Sequence, residues 1–388
     1  MSLGRGRIER YYHFICGGDE ALLSLARELG LPVHWRPAPV GHWYRGRMYP
    51  LSTAFDLLRF PPLPLADRIR MGLHAWRAQR TTDWQPLDAI SAKQWLLDTV
   101  GQRIYDVIWK PLLETKFGPY ADQVSAAWLW HRLWRVGTSR KSPFKPDEMG
   151  HFAGGSETLL SALADKICAA GGQIELSCAA RKITIADGRL TVATDAGDLD
   201  ADAAVMAIPL PVAAQLIENA DADFAAALRQ VPVIGVVCAL VRMPRHLTPY
   251  FWLNINDERI AYNGLIEYSN LNPSGEAWGG EVLYIPFYLP ADEDRFSWPD
   301  DKWRQLFIDG LGVIDERLAA ETEVAAVTRD VYAQPICGVG FSERVPPIRT
   351  PLPGVFLVEA SQLYPSDRCL SGMIGLATRA VEMATASR

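Results

Sequence analysis

Apolar residues recur at helical spacing through Leu65–Arg80, residues 91–109 and residues 124–136, which predicts three helices, the second capped by Ser91. Nine of the thirteen tryptophans lie between Trp35 and Trp134, so this proline-punctuated stretch reads as one helical lobe with the tryptophans mainly in its core. The pattern changes at His151. A glycine pair, Gly154-Gly155, leads into a helix over residues 157–170 that carries Leu159, Leu160, Leu163 and Ile167 on one face and stops at Gly171-Gly172. A strand is predicted at 173–177, then a hairpin of 181–185 with Arg189–Thr194 about Asp187-Gly188, then a buried strand at 203–208. Residues 231–241, 250–256, 260–268 and 281–287 read as a second, mostly antiparallel sheet, followed by helical 300–318. Residues 354–358 read as a short buried strand, and 371–384 as a closing helix with Ser371 as N-cap.

Composition narrows the function classes. With 388 residues, 49% hydrophobic and 22% charged, the chain can bury a large core and form two or three domains. A net charge of −6 excludes the basic excess of a nucleic-acid binder. Six scattered cysteines without a C-x-x-C pair offer neither a zinc site nor a disulfide framework, and fit reduced thiols in the cytoplasm. The charged first ten residues lack the apolar stretch of a signal peptide, and the longest apolar runs, 203–214 and 231–241, are too short to span a bilayer. The basic aromatic stretch from Trp128 to Arg135, followed by Arg140, Lys141 and Lys145, reads either as a peripheral membrane contact or as a helix with its tryptophans turned inward. Walker A, H-E-x-x-H and G-x-S-x-G patterns are absent, so hydrolase and metalloenzyme readings find no support.

Residues 151–217, with the glycine pair, the helix, the following strands and the Ala207-Ile208-Pro209 run, resemble the middle segment of the flavin amine oxidase, protoporphyrinogen oxidase and phytoene desaturase superfamily. Residues 328–384 resemble its last segment, and Arg7 to Phe14 resemble the segment that follows its first cofactor-binding unit. Tyr49-Pro-Leu-Ser-Thr53 and Lys116-Phe-Gly118 extend the likeness over nearly the whole chain. The resemblance implies FAD as cofactor. It implies that Arg10, Tyr12 and His13 face the flavin, that Ala180 touches the adenine through its backbone, and that Tyr364, Asp367 and Arg368 lie near the flavin. It further implies that Ser371, Gly372 and Met373 form the helix N-terminus set against the flavin ring, where a positive dipole end favours reduced flavin. Glu359-Ala360 stands where the family has Gly-Asp, and Cys369 where glycine is expected.

The strand, G-x-G-x-x-G turn and helix that should open such a domain are missing: neither Gly4-Arg-Gly6 nor Gly338-Val-Gly340 follows a strand and opens a helix. Either that unit lies upstream of Met1, or the sheet is completed by a partner or a rearrangement. The expected fold is α/β: a Rossmann-like three-layer FAD/NAD(P)-binding domain, N-terminally incomplete, from residues 1–30, 151–222 and 332–388. An inserted α+β substrate domain takes residues 31–150 and 223–331. The expected function is FAD-dependent oxidation or desaturation of a small-molecule, apolar-leaning substrate by hydride transfer. A sugar-nucleotide mutase-like isomerase and a non-catalytic remnant are the alternatives. His13 and His151 are the histidines nearest the matched segments, and read as structural, because the flavin itself accepts the hydride.

Overall fold

The computed structural model describes residues 1–139 and 142–386, so Arg140 and Lys141 of the basic stretch lie outside the described residues. Helix and sheet are mixed, as the α/β expectation requires. The largest element is a seven-stranded sheet in the order Glu323–Pro335, Val233–Met243, Glu281–Leu289, Gly264–Glu267, Trp252–Asn256, Val40–Tyr44, Arg47–Pro50. All pairings are antiparallel except that of Trp252–Asn256 with Val40–Tyr44. The long strand Val233–Met243, paired on both edges, reads as a nearly unbroken apolar run because both its faces are covered. Val237, Ala239 and Val241 pack toward Trp303, Phe307 and Leu311 of the helix Asp300–Ile314, while Val236, Cys238 and Leu240 pack toward Phe251, Tyr268 and Tyr284.

The predicted strand at 260–268 is shortened to Gly264–Glu267, because Ile260 and Tyr262 insert beneath that helix instead, the Tyr262 hydroxyl donating to the Phe307 carbonyl at 3.2 Å. The predicted helix at 300–318 breaks at Asp315, whose carboxylate accepts from the Leu318 amide at 2.9 Å and starts a second helix, Glu316–Ala320.

Helices used below are α1 (Glu20–Glu28), α2 (Ala54–Leu58), α3 (Leu65–Arg80), α4 (Lys110–Phe117), α5 (Ala126–Ser139), α6 (Ser156–Ala169) and α7 (Leu370–Ala386). Three small sheets surround α1, α6 and α7. Glu148–Phe152 pairs antiparallel with both Ile15–Cys16 and Val33–Pro37. Ala180–Ala186, Arg189–Thr194 and Gly197–Ala201 form a meander whose first turn has Asp187 and Gly188 both at positive φ, 51° and 75°, as a two-residue hairpin with native twist requires. Ala204–Met206 runs parallel to Val355–Leu357.

Two expectations fail in this part. Residues 173–177 form no strand: they have no ladder partner, and Leu176 is 83% exposed. On α6 only Leu159 and Leu163 turn inward, toward Leu22, Ala26 and Phe152, whereas Leu160 and Ile167 face solvent.

Candidate functional site

Helices α4 and α5 and the turn before α7 bring distant residues into one charged cluster. Lys116 ends α4, held there by Gly118, whose positive φ of 52° stops the helix. Its ammonium donates to Asp367 Oδ2 at 2.8 Å and lies 4.7 Å above the Trp128 ring. Arg132 of α5 donates to the same oxygen at 2.9 Å. Arg368 turns the other way, donating to the Ala333 carbonyl, beside Tyr288 and Tyr12. One turn along α5, Arg135 pairs with Asp19 Oδ1 at 2.6 Å, and Asp19 Oδ2 accepts from the Cys16 amide at 2.8 Å, which ties α5 to the start of α1.

One carboxylate, Asp367, thus pairs with two cations and has a third, Arg368, close by. Burial alone would raise its carboxyl, but Lys116 and Arg132 hold it well below the usual range. Burial pushes the Lys116 ammonium down to about 7 against the pull of Asp367. Arg368 is exposed and lies beside Tyr12 and Tyr288. Tyr12 forms the aromatic side of the site, 5.5 Å from Trp252 and 6.2 Å from Tyr284 between ring centroids.

A polar brace lies behind the cluster. The Tyr364 hydroxyl donates to Asp88 and sits 2.6 Å from Ser125 Oγ, with its ring between Trp84 and Phe341. Asp88 also accepts from the Phe341 amide at 3.1 Å and from the Ser342 hydroxyl at 2.5 Å. Ser366 Oγ lies 2.9 Å from His131 Nε2, and burial pushes this imidazole down to about 4. The turn they fix contains a cis Tyr364-Pro365 bond and delivers Asp367 and Arg368 to the site.

The structure therefore brings Tyr12, Tyr364, Asp367 and Arg368 to one region. Ser371, Gly372 and Met373 lie in the first turn of α7, but Ser371 is not its cap. The Gly372 amide donates to Cys369 Sγ at 3.3 Å, so the cysteine caps α7, while Ser371 Oγ accepts from the Ala21 and Leu22 amides at the start of α1. Met373 packs against the group of Phe356 and Leu376. Glu359 and Ala360 follow the strand Val355–Leu357, and the Glu359 carboxylate accepts from the Ser361 amide at 2.7 Å, capping the turn that comes next. Burial raises that carboxyl.

Arg10 and His13 are exposed, with His13 Nδ1 2.9 Å from the Tyr11 carbonyl, and Ala180 is exposed at the start of the meander. Sequence reasoning missed Asp88, Ser125, His131, Arg132 and Arg135 as members of the site. Arg132 and Arg135 stand one turn apart on the buried-tryptophan helix, and that spacing was the available signal.

The family model for flavin containing amine oxidoreductases matches residues 6–361. No curated protein matches the sequence. Among solved structures, a protoporphyrinogen oxidase-like protein from Exiguobacterium sp. superposes with a TM-score of 0.70 at 16% identity, covering 99% of this chain and 90% of that one. Putrescine oxidase bound to putrescine gives 0.68 at 14% identity, covering 98% and 91%. Reduced UDP-galactopyranose mutase gives 0.63 at 16%, covering 88% and 76%. At these identities the likeness shows the fold.

Proposed function

We propose that this chain, which belongs to the flavin-containing amine oxidoreductase family, takes a hydride from a small or medium, apolar-leaning organic substrate. FAD is the cofactor of the family, and the residues of the site suit its flavin end. Arg132 and Arg368, with Lys116 when protonated, outnumber Asp367 at this site, which favours an electron-rich, anionic guest, and α7 begins beside them. When bound, the flavin supplies the hydride acceptor, so no side chain has to act as base. The chain's own residues bind and orient: Arg368 and Lys116 set positive charge beside the guest, and Tyr12 and Trp252, backed by the buried Tyr284, offer an apolar surface that sheds water. The diphosphate end is less well provided, since the Glu359 carboxylate is spent on the Ser361 amide and Ala360 has no polar side chain.

The observation that carries this reading is the gathering of Lys116, Arg132 and Arg368 about the one carboxylate of Asp367, beside Tyr12 and Tyr288. Its test is titration of the purified protein with FAD, followed by flavin absorbance and fluorescence. Retention of FAD, and its anaerobic bleaching by polyenes or apolar amines, is the expected result. Failure to retain any FAD would defeat the proposal. The same three cations favour one other reading, an isomerase gripping a sugar diphosphate. Turnover of a nucleotide sugar by the dithionite-reduced holoprotein, with no net oxidation, would select it.

A further inference from the structure

Helix α3 has two apolar faces, and only one of them is used by the core. On the inner face Asp67 accepts from Arg103 at 2.9 Å, His74 stacks 4.6 Å from Trp95, and the Ala78 carbonyl accepts from Trp130 Nε1 at 2.8 Å. On the outer face Leu65, Ile69, Leu73 and Trp76 follow one another at i, i+4, i+8 and i+11, all close to half exposed. Phe55 and Leu58 of α2 continue the stripe, and Phe144 joins it with its ring 5.0 Å from that of Phe55. Together these seven side chains offer several hundred Å² of apolar surface, at or above the roughly 300–600 Å² of the largest patch on an ordinary monomer.

The exposed charges around the stripe are mostly arginines, the Asp56 carboxylate of α2 being taken up by the Ser52 and Thr53 amides. Arg59, Arg70, Arg77 and Arg80 are exposed, and the only acid of α3, Asp67, is buried on the other face. Among the described residues Arg59, Arg77 and Arg80 have no ion-pair partner, and Arg80 lies 4.0 Å over the ring of Trp76. This runs against the whole chain, whose net charge is −6. An exposed apolar helix face, tipped with Trp and Phe and flanked by unpaired arginines, suits the headgroup boundary of an anionic bilayer. A second copy docked by two-fold symmetry would set the arginines against one another. No described helix is long and apolar enough to cross a membrane, so the contact is with the surface.

We propose that α3, with α2 and Phe144, is a membrane-docking face that rests on anionic lipid. The Trp128–Arg135 stretch is not that face, since Trp128 and Trp130 are buried. The test is co-sedimentation of the full chain with vesicles of phosphatidylcholine alone or mixed with phosphatidylglycerol. The protein should pellet with the mixed vesicles, less so at high salt, and weakly with the neutral ones.

Ile69→Asp with Leu73→Asp should lower partition at least tenfold. Arg77→Gln and Arg80→Gln should each lower it roughly fivefold on anionic vesicles and leave the neutral ones unaffected. All four side chains point to solvent, so circular dichroism and melting temperature should not change, and the arginine variants decide the matter if the aspartate pair does not fold. The proposal is overturned if wild-type protein stays in the supernatant with anionic vesicles, or if the arginine variants pellet like wild type. It is equally overturned if sedimentation velocity finds a dimer that Ile69→Asp splits.

Discussion

Lys116 carries a charge that burial opposes and Asp367 supports, and the balance gives a signed pH dependence. Its folded value near 7 lies below the roughly 10.4 of an unfolded lysine. Between those values the unfolded chain holds a proton that the folded chain has released, so this group makes stability rise with pH across the window. Replacing it removes that slope. Urea denaturation at pH 7 and pH 9 should show wild type gaining about 1–2 kcal/mol relative to Lys116→Met. Equal gains for the two proteins would refute the assignment. Asp367 gives a slope of the same sign in a lower window: its carboxyl is held low, so its contribution is present above about pH 4 and is lost as pH falls below that. Asp367→Asn leaves Lys116 and Arg132 facing each other without a carboxylate. The expected loss is about 2–3 kcal/mol at pH 7, less than for a fully buried pair because Arg132 is 44% exposed. Chemical denaturation of the variant measures it directly.

At the scale of elements, segment 173–177 shows what a sequence pattern does not contain. Gln-Ile-Glu-Leu-Ser alternates like a strand, but a strand also needs a neighbour, and here no ladder partner is present. Its amides should therefore exchange with solvent within the earliest times of a hydrogen-exchange series, while those of Ala204–Met206 and Val355–Leu357 stay protected. Protection of 173–177 equal to that of the parallel pair would show that a ladder forms. Where local chemistry decides, the sequence was legible. Leu65–Arg80 is helical over its full predicted length, Ser91 caps its helix by accepting from the Gln94 amide at 3.1 Å, and Asp187-Gly188 makes its turn. Where contacts between distant residues decide, it was not. Ser371 looked like a cap, but its hydroxyl serves α1, some 350 residues away in sequence, and Cys369 took the cap. Strand Gly197–Ala201 escaped notice because its polar sequence is held by edge pairing and by Asp200, which accepts from Thr191 at 2.9 Å. The site was half legible for the same reason: Asp367 and Arg368 stand in a recognisable turn, whereas their partner Arg132 arrives from a helix that reads only as amphipathic.

For the whole molecule, the difference in construction between the two kinds of sheet predicts unequal stability. The seven-stranded sheet is buried on both faces by large side chains such as Trp303, Phe307, Tyr268 and Tyr284. The small sheets have two or three strands each, and although Ile183, Leu190, Met206, Val355 and Leu357 join the large apolar cluster of the helical lobe, the groups about α1 and α7, such as Phe356, Val358, Leu376 and Ala380, are small. Local opening should therefore begin in the small-sheet part, at lower free energy than in Val233–Met243. FAD binds at the border of the two in the reading given above, and a ligand stabilises only what must be folded to hold it, by about 2.7 kcal/mol at a hundredfold excess over Kd. Hydrogen exchange with and without saturating FAD should thus slow at the start of α1, which Ser371 joins to α7, at the end of α4 and across residues 364–373. Strand Val233–Met243, already at the limit set by global unfolding, should gain little. If saturating FAD leaves all three segments unchanged, the cationic cluster does not hold the flavin and the site must be sought elsewhere in the fold. If Val233–Met243 gains as much as they do, the protein opens as a single cooperative unit and the hierarchy argued from its sheets is wrong.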